Sequence, residues 1–566
     1  MRLRTYLLLA LLAVFFCEGR TASAQAFFNR QPKREVRAVW LTTIGGLDWP
    51  HSYSQSERSA ERQKQELRSI LDKLQRAGVN TILLQTRIRA TTIYPSSYEP
   101  WDGCLSGFPG RSPGYDALAF AISEGHKRGM EVQAWVVTIP VGRWESYGCK
   151  KLRRRFPKLI RKIGTDGYMN PESPTTARYL ADICEEITRN YDVDGIHLDY
   201  IRYPETWPVK VDATRGRENI TRIVQAIHDR VKSLKPWVKI SCSPIGKADD
   251  LPRAWSHGWN AYRTVCQDAQ GWLARGIMDE LFPMMYFKDD QFFPFAVDWQ
   301  EQSCGRIVAP GLGIYFLSPK ERDWNQDIIT REMEVLRQHG LGHAYFRSRF
   351  FTDNVKGIYS FAADDFDRLP ALVPAMTWAS KVRPSAPTVI VWDKQETRLS
   401  WEGARDRSGG PYLLYNIYSS DTYPVNTDDA ANLIATALRD SSVNIPKAGR
   451  YYAVTAMDRY GNESDALQDE TPLQAGSSHS KTLLLACDGK RLELPSKGSV
   501  LDAAFVIVET LQGSPIATLP YRGRYADVSR LPEGFYVLRS LGRKDRTHRL
   551  GMFMIKRRDI PTDNGQ

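Results

Sequence analysis

Between Arg37 and about Phe366 the chain alternates, eight times over, between a short apolar run of strand length and an amphipathic stretch of helix length. The strand-like runs are RAVWLTT, TILLQTRIR, EVQAWVVT, GIHLDYI, VKISCSP, ELFPMMYF, IVAPGLGIYF and GHAYFRSR. Helical patterns fall between them, for example SERSAERQKQELRSILDKLQRAG, with Gly78 placed as its C-cap, and TTARYLADICEEITRNY. Strict strand–helix alternation builds a parallel sheet covered by helices. Eight repeats close such a sheet into a (β/α)8 barrel. The alternative, an open doubly wound sheet, would want a glycine-rich nucleotide-binding turn after the first strand, and none is present. The expected fold class is α/β, a TIM-type barrel.

In a barrel, side-chain parity carries functional meaning. Alternate residues point to the helices or to the interior, and the C-terminal strand ends form the mouth where barrel enzymes place their chemistry. In DVDGIHLDYIRYP (192–204), Ile196, Leu198 and Tyr200 fall on the helix side, while His197 and Asp199 point inward, with Asp199 at the mouth. The same count turns Gln85, Arg87 and Arg89 inward on the second strand, Trp135 on the third, and Ser241 and Ser243 on the fifth. Tyr286, Tyr315 and Arg347 lie near the ends of the last three strands, and Arg202 and Tyr203 directly follow the fourth. A purely structural barrel would close this end with Val, Ile and Leu. The polar lining points to a site; the bland alternative is a closed network in which Arg87 simply pairs with Asp199. His197, one layer deeper, reads as a core histidine.

Composition narrows the chemistry. The 566 residues are too many for one core. The 15 Trp and 26 Tyr offer flat faces that stack on sugars as well as filling cores. The first 24 residues, MRLRTYLLLALLAVFFCEGRTASA, carry two arginines, a short apolar run and a small-residue end, the pattern of a cleaved export signal. A lipoprotein cysteine at Cys17 is disfavoured by Phe15 and Phe16, where small residues would be wanted. No later run is long enough to span a membrane. Removing the signal takes away three arginines and one glutamate, so the net charge falls from +12 to +10. Scattered basic charge suits an anionic surface such as a cell-wall polymer rather than nucleic acid.

Seven cysteines follow the signal, none with zinc-finger spacing, and Cys104 and Cys149, in expected loops, are the candidate disulfide. Only 9 histidines occur, with no His-x-His on the first strand, and Ser243 lacks nucleophile-elbow spacing. Hydrolysis by acids and water is what remains, with neither metal nor cofactor expected.

At the level of motifs, REVRAVWLTTIGGLDWP, TILLQTRIRATTIYPSSYEPW, AWVVT and DVDGIHLDYIRYP together resemble the glycosyl hydrolase-like 10 family, over about Glu35 to Phe366. The resemblance implies an exported bacterial barrel that hydrolyses a polysaccharide, with peptidoglycan glycan strands as substrate. It maps the family's polar mouth onto Asp199, Arg202, Tyr203, Gln85 and Arg87. DGIHLDYI also looks like the DGxDxDxE run of chitinase-like barrels, which use the substrate's acetamido group as nucleophile. In that comparison Asp199 matches the last Asp, His197 replaces the middle one, Ile201 stands where the catalytic Glu should be, and Tyr286 is similar in place to a site Tyr. Glycoside hydrolysis usually needs two carboxyl groups. The second is open among Asp48, Glu99, Asp102, Glu145, Glu205, Asp289 and Asp290.

Beyond Phe366 the helical pattern stops. The expected organisation is a signal peptide at 1–24, the barrel at 35–380, a fibronectin type III-like β-sandwich at 384–475 with Trp401 and Tyr452 in its core, and a second small β-sandwich at 482–556. A monomer acting on a polysaccharide is expected. The competing reading is a non-catalytic glycan-binding or surface scaffold protein on a barrel fold.

Overall fold

The computed structural model describes residues 31–209, 211–254, 256, 258–393, 398–445 and 449–468, and then 485, 487–494, 505–510, 515–520, 525–541 and 547–556. The expected signal peptide lies outside them.

Eight parallel strands form the core: β1 Arg37–Leu41, β2 Thr81–Arg87, β3 Glu131–Val137, β4 Gly195–Asp199, β5 Lys239–Cys242, β6 Glu280–Leu281 with Met284–Met285, β7 Ile307–Val308 with Gly311–Leu312, and β8 His343–Tyr345. β6 and β7 are each interrupted at a proline, Pro283 and Pro310, which has no N–H to give to a ladder. Both halves of β6 pair with β7, the second half of β7 pairs with β8, and β8 pairs with β1, so the ring closes. The remaining neighbours pair in chain order. This is the (β/α)8 architecture that the alternation implies.

Helices α1 Glu57–Arg76, α2 Ala117–Lys127, α3 Pro174–Asn190 and α4 Ala213–Leu234 cover the first half of the outside. In α1 the Ser56 hydroxyl accepts from the Ser59 N–H at the start, and Leu67, Leu71 and Leu74 face the sheet. Gly78 follows with φ +74°, and a Cβ there would lie 2.4 Å from the Asp367 carbonyl oxygen, so both backbone and packing demand glycine. Two apolar layers result. Val39, Ile82, Leu84, Val132, Ile196 and Ile240 join the helices, whereas Ala38, Trp40, Leu83, Trp135, Phe282 and Ala344 fill the barrel interior.

Above the mouth, β3 leads into a small antiparallel sheet, Pro140–Arg143, Asp166–Met169 and Ile160–Ile163, with the helix Tyr147–Arg155 beside it. The expected disulfide is absent: Cys104 and Cys149 are free and buried, and both lie in short helices rather than loops. Each is held by its own packing. Cys149 fills the space over Gly167, where a Cβ would come within 2.7 Å of its Sγ.

Beyond Pro384 two antiparallel sheets face each other, Val389–Asp393/Arg398–Glu402/Ser442–Asn444 and Leu433–Leu438/Leu414–Ser420/Tyr451–Met457/Leu467–Gln468. Trp401, Ile417, Tyr452 and Val454 pack in one cluster between them. The described residues beyond 484 add further antiparallel strands with their own apolar cluster. The first sandwich sits under the barrel, at the N-terminal ends of its strands. There Arg459 pairs with Asp194 at 2.8 Å and Arg439 with Asp192 at 2.6 Å. Among the described residues no helix is long and apolar enough to cross a membrane.

Candidate active site

β4 ends at Asp199, and its carboxylate lies inside the mouth. Trp135 Nε1, reaching across from β3, donates to Oδ2 at 3.0 Å. Ser243 Oγ donates to Oδ1 at 2.9 Å and the Tyr200 N–H to the same oxygen at 2.8 Å. The backbone is pinned as well, since Thr138 donates its N–H and its hydroxyl to the Asp199 carbonyl. Three donors and a fixed backbone leave the carboxylate little freedom of orientation. Burial pushes its pKa above the usual carboxylate value; the positive charge of Arg202 and the three hydrogen bonds only partly oppose that.

Two further polar groups converge on this carboxylate without being used. The Tyr286 hydroxyl and Arg202 Nη1 are buried, and neither has a hydrogen-bond partner among the described residues. Tyr286 feels the charge of Asp199, stands edge-to-face with Tyr315 at 5.7 Å and packs against Phe346. Its pKa is well above normal, through burial and then its neighbours Tyr315 and Asp199; that of Tyr315 is pushed up by burial to about 12. Arg202 shares its other nitrogens with Glu205, at 2.9 Å from Nη2, and lies over the Tyr200 ring. A buried donor without a partner is costly in a folded chain. Two of them around one carboxylate describe a pocket shaped for an incoming polar molecule.

Below Asp199 the interior is closed. Trp40 Nε1 donates to His197 Nε2 at 3.3 Å, which puts the histidine's proton on Nδ1, facing Ser241 Oγ at 3.0 Å. Ser241 donates to Gln133 Oε1, and Gln133 donates to Glu280. Burial drives His197 down to about 3, so it is a neutral core group.

The remaining sequence-derived residues divide. Gln85 is at the mouth but faces the β1 loop, accepting from the N–H groups of Thr43 and Ile44. Arg347 ties the same loop down through the Leu47 carbonyl and Asp48. Arg89 is exposed at the mouth, within the field of Tyr200. Arg87 is elsewhere: it pairs in fork fashion with Glu99, at 2.7 and 2.8 Å, and donates to the carbonyls of Val137 and Thr138. It touches neither Asp199 nor the open mouth. The cause is a register shift between Gln85 and Arg87 against β3, which reverses the parity of the strand end. Tyr203 is also elsewhere, fully buried, with its hydroxyl accepting from Asn219. Parity misplaces Tyr200 too. The strand stops one residue earlier, Tyr200 takes φ +53°, and its ring is partly exposed at the mouth.

Of the loop carboxylates, Asp48, Glu99 and Asp102 are consumed by internal hydrogen bonds. Glu145 is exposed beside Lys150, and Asp289 and Asp290 are exposed beyond β6. Glu205, 41% exposed in its side chain, is the one tied to Asp199 through a shared arginine.

Residues 35–212 and 204–315 match the glycosyl hydrolase-like 10 family. The chain is 28% identical over 490 residues to the glycosyl hydrolase YngK of Bacillus subtilis, covering 78% of this chain and 94% of that protein. It is 28% identical over 296 residues to the glycosyl hydrolase DigH of Escherichia coli, covering 46% and 67%. Among solved structures, alpha-L-fucosidase isoenzyme 2 from Paenibacillus thiaminolyticus is similar at a TM-score of 0.39 and 14% identity, over 64% of this chain and 52% of that one. The family match contains Asp199, Arg202, Glu205 and Tyr286, so the site described above belongs to the glycosyl hydrolase-like 10 region and not to the modules behind it.

Proposed function

We propose that this protein is an exported glycoside hydrolase that cuts cell-wall glycan, peptidoglycan strands above all, with Asp199 as its central carboxylate. One observation carries the reading. An oriented carboxylate with a raised pKa sits at the mouth of a barrel beside two buried donors that have no hydrogen-bond partner among the described residues. A carboxyl group with a raised pKa holds a proton at neutral conditions longer than a solvated one and can pass it to a leaving glycosidic oxygen. Arg202 and Tyr286 would take up sugar oxygens there. Glu205 is the second carboxylate of the reading, released from Arg202 when a sugar takes the guanidinium's place. The scattered basic charge and the leader sequence suit a cell-wall substrate, and the fibronectin type III-like module holds the barrel from behind.

The competing reading, binding without turnover, draws on the same ion pair: if Glu205 never leaves Arg202, the site has one usable carboxyl group. Residues 25–566 incubated with peptidoglycan, with and without stem peptides, and read by mass spectrometry decide between them. Defined muro-oligosaccharides that disappear in Asp199→Asn are the expected outcome. Co-sedimentation with the glycan and no products from the unaltered protein would leave a binding protein.

A further inference from the structure

Beside the mouth runs an open groove of about 740 Å³, floored by the β1 and β2 loops and walled by the insertion after β3. Two guanidinium groups line it, Arg89 and Arg143, both exposed. Among the described residues neither has a carboxylate within ion-pair reach, in contrast to the largely buried Arg37, Arg87, Arg128, Arg202, Arg337 and Arg347. The one acidic residue on the groove wall, Asp102, is occupied by the Thr91 hydroxyl and the Cys104 N–H. The Arg89 stem lies against Gly142, where a Cβ would be 3.4 Å from the arginine's own, and its charge reaches Tyr200 at the mouth. Arg89 thus stands between the groove and Tyr200 at the mouth. Two half-exposed rings complete it, Tyr53 laid on Gly107 and Tyr147 laid on Gly110, flat surfaces of the kind on which sugar rings stack.

We propose that this groove is a subsite for a glycan bearing carboxylate groups, with Arg89 and Arg143 holding a carboxylate while Tyr53 and Tyr147 hold the rings. The location rests on the glycosidase reading; the ligand class does not. A neutral glycan would leave two cations idle in a concave site. A carboxylate forms charge-assisted, two-pronged bonds to guanidinium, the strongest hydrogen bonds open to either partner. The carboxylate has two sources, a lactyl ether on an amino sugar or a hexuronic acid ring.

The test measures dissociation constants on the Asp199→Asn protein, residues 25–566, so that affinity is read apart from turnover. The probes are peptidoglycan strands freed of stem peptides, the same strands with their carboxylates amidated to neutrality, and oligogalacturonate. Free-acid strands are expected to bind about tenfold or more tightly than amidated ones, less so at high salt. Arg89→Gln/Arg143→Gln is expected to bring that ratio close to one, and Arg89→Lys/Arg143→Lys to restore part of it. Tight oligogalacturonate binding assigns the uronate source; its absence assigns the lactyl ether. A ratio near one in the parent protein overturns the proposal, as does an unchanged ratio in the Gln pair with native circular dichroism. Should the unaltered protein hydrolyse none of the strands while the ratio holds, the glycosidase reading fails and the carboxylate subsite stands.

Discussion

Asp194 and Asp199 bracket the same strand, five residues apart, and the protein treats them in opposite ways. Asp194, at the foot of β4, is held between His126 at 2.7 Å and Arg459 of the sandwich at 2.8 Å, and it also accepts from the Val132 N–H. These partners outweigh burial and hold its pKa far below the ordinary range. Asp199, at the head, has neutral donors for direct partners, and its pKa moves up. At the foot the charges of Asp192, Asp194, Arg439 and Arg459 are paired with one another, as a structural joint requires, although Arg459 Nε has no hydrogen-bond partner among the described residues. At the head a carboxyl group, a guanidinium nitrogen and a phenol are brought together and left incomplete. The difference separates the end that holds the molecule together from the end that acts.

Substitution should separate the two ends in kind. Asp199→Asn is expected to lower turnover by roughly 10²- to 10⁴-fold, the range for a positioned acid or base, with the fold retained. The sign of its stability effect follows from the raised pKa. Wild-type stability from this group is fully present below the ordinary Asp value and is lost as pH rises through the native one, so the Asn protein should unfold at an equal or higher temperature at pH 8. Thermal melts with activity on the same samples would measure both. A large drop in melting temperature would make Asp199 a structural group and erase the contrast.

Asp194→Ala should do the reverse. Removing one partner of a buried ion pair costs about 3–5 kcal/mol, here by taking the nearer carboxylate from Arg459, which keeps only Asp192 at 3.4 Å, and the partner from His126. Because the native pKa is lowered, the contribution is present above the ordinary Asp value and fades as pH falls below it, so the gap between wild type and variant should narrow in acid. Activity per folded molecule should be unchanged. By the same logic, cutting the chain at 384 removes Arg439 and Arg459 together and exposes the barrel foot, so the isolated barrel is expected to be less stable than the full chain.

Glu280 sharpens the comparison from inside. It is fully buried in the network beneath the site, accepts from Gln133 at 2.6 Å through one oxygen while the other has no partner among the described residues, and burial raises its pKa to about 7 despite Lys239. Its stabilisation is present below about 4.5 and lost as pH climbs through about 7, a shift worth up to roughly 3 kcal/mol. Glu280→Gln, which cannot ionise, should flatten the fall in melting temperature between pH 5 and 8. An equally steep fall would place that titration in another group.

The barrel was legible because periodicity is a property of whole segments, and eight repeats leave few topologies. Parity within a strand was legible where the ladder is regular: His197, Asp199, Trp135, Ser241 and Ser243 all point inward. It failed at strand ends. A one-residue bulge carries Arg87 out to Glu99, and a positive φ turns Tyr200 over the mouth; neither leaves a signature in residue type. The insertion after β3 and the joint at Asp194 also escaped, since both depend on contacts between segments far apart in the chain.

The mildest substitution asks whether the unused donors at the mouth are there for a ligand. Tyr286→Phe removes a buried hydroxyl that has no partner among the described residues, so the folded chain loses no hydrogen bond and sheds a desolvation cost. Its melting temperature should stay level or rise slightly. If that hydroxyl meets a sugar oxygen or the group developing charge beside Asp199, kcat/KM should fall about tenfold, the worth of one good hydrogen bond in a dry site. A fall confined to KM would place the contact in the bound substrate, and a fall in kcat with KM unchanged would place it in the transition state. A variant with full activity and raised stability would reduce Tyr286 to a wall of the pocket. Arg202 Nη1 would then be the one idle buried donor around Asp199 among the described residues, and the contrast between the two ends of β4 would rest on the carboxylates alone.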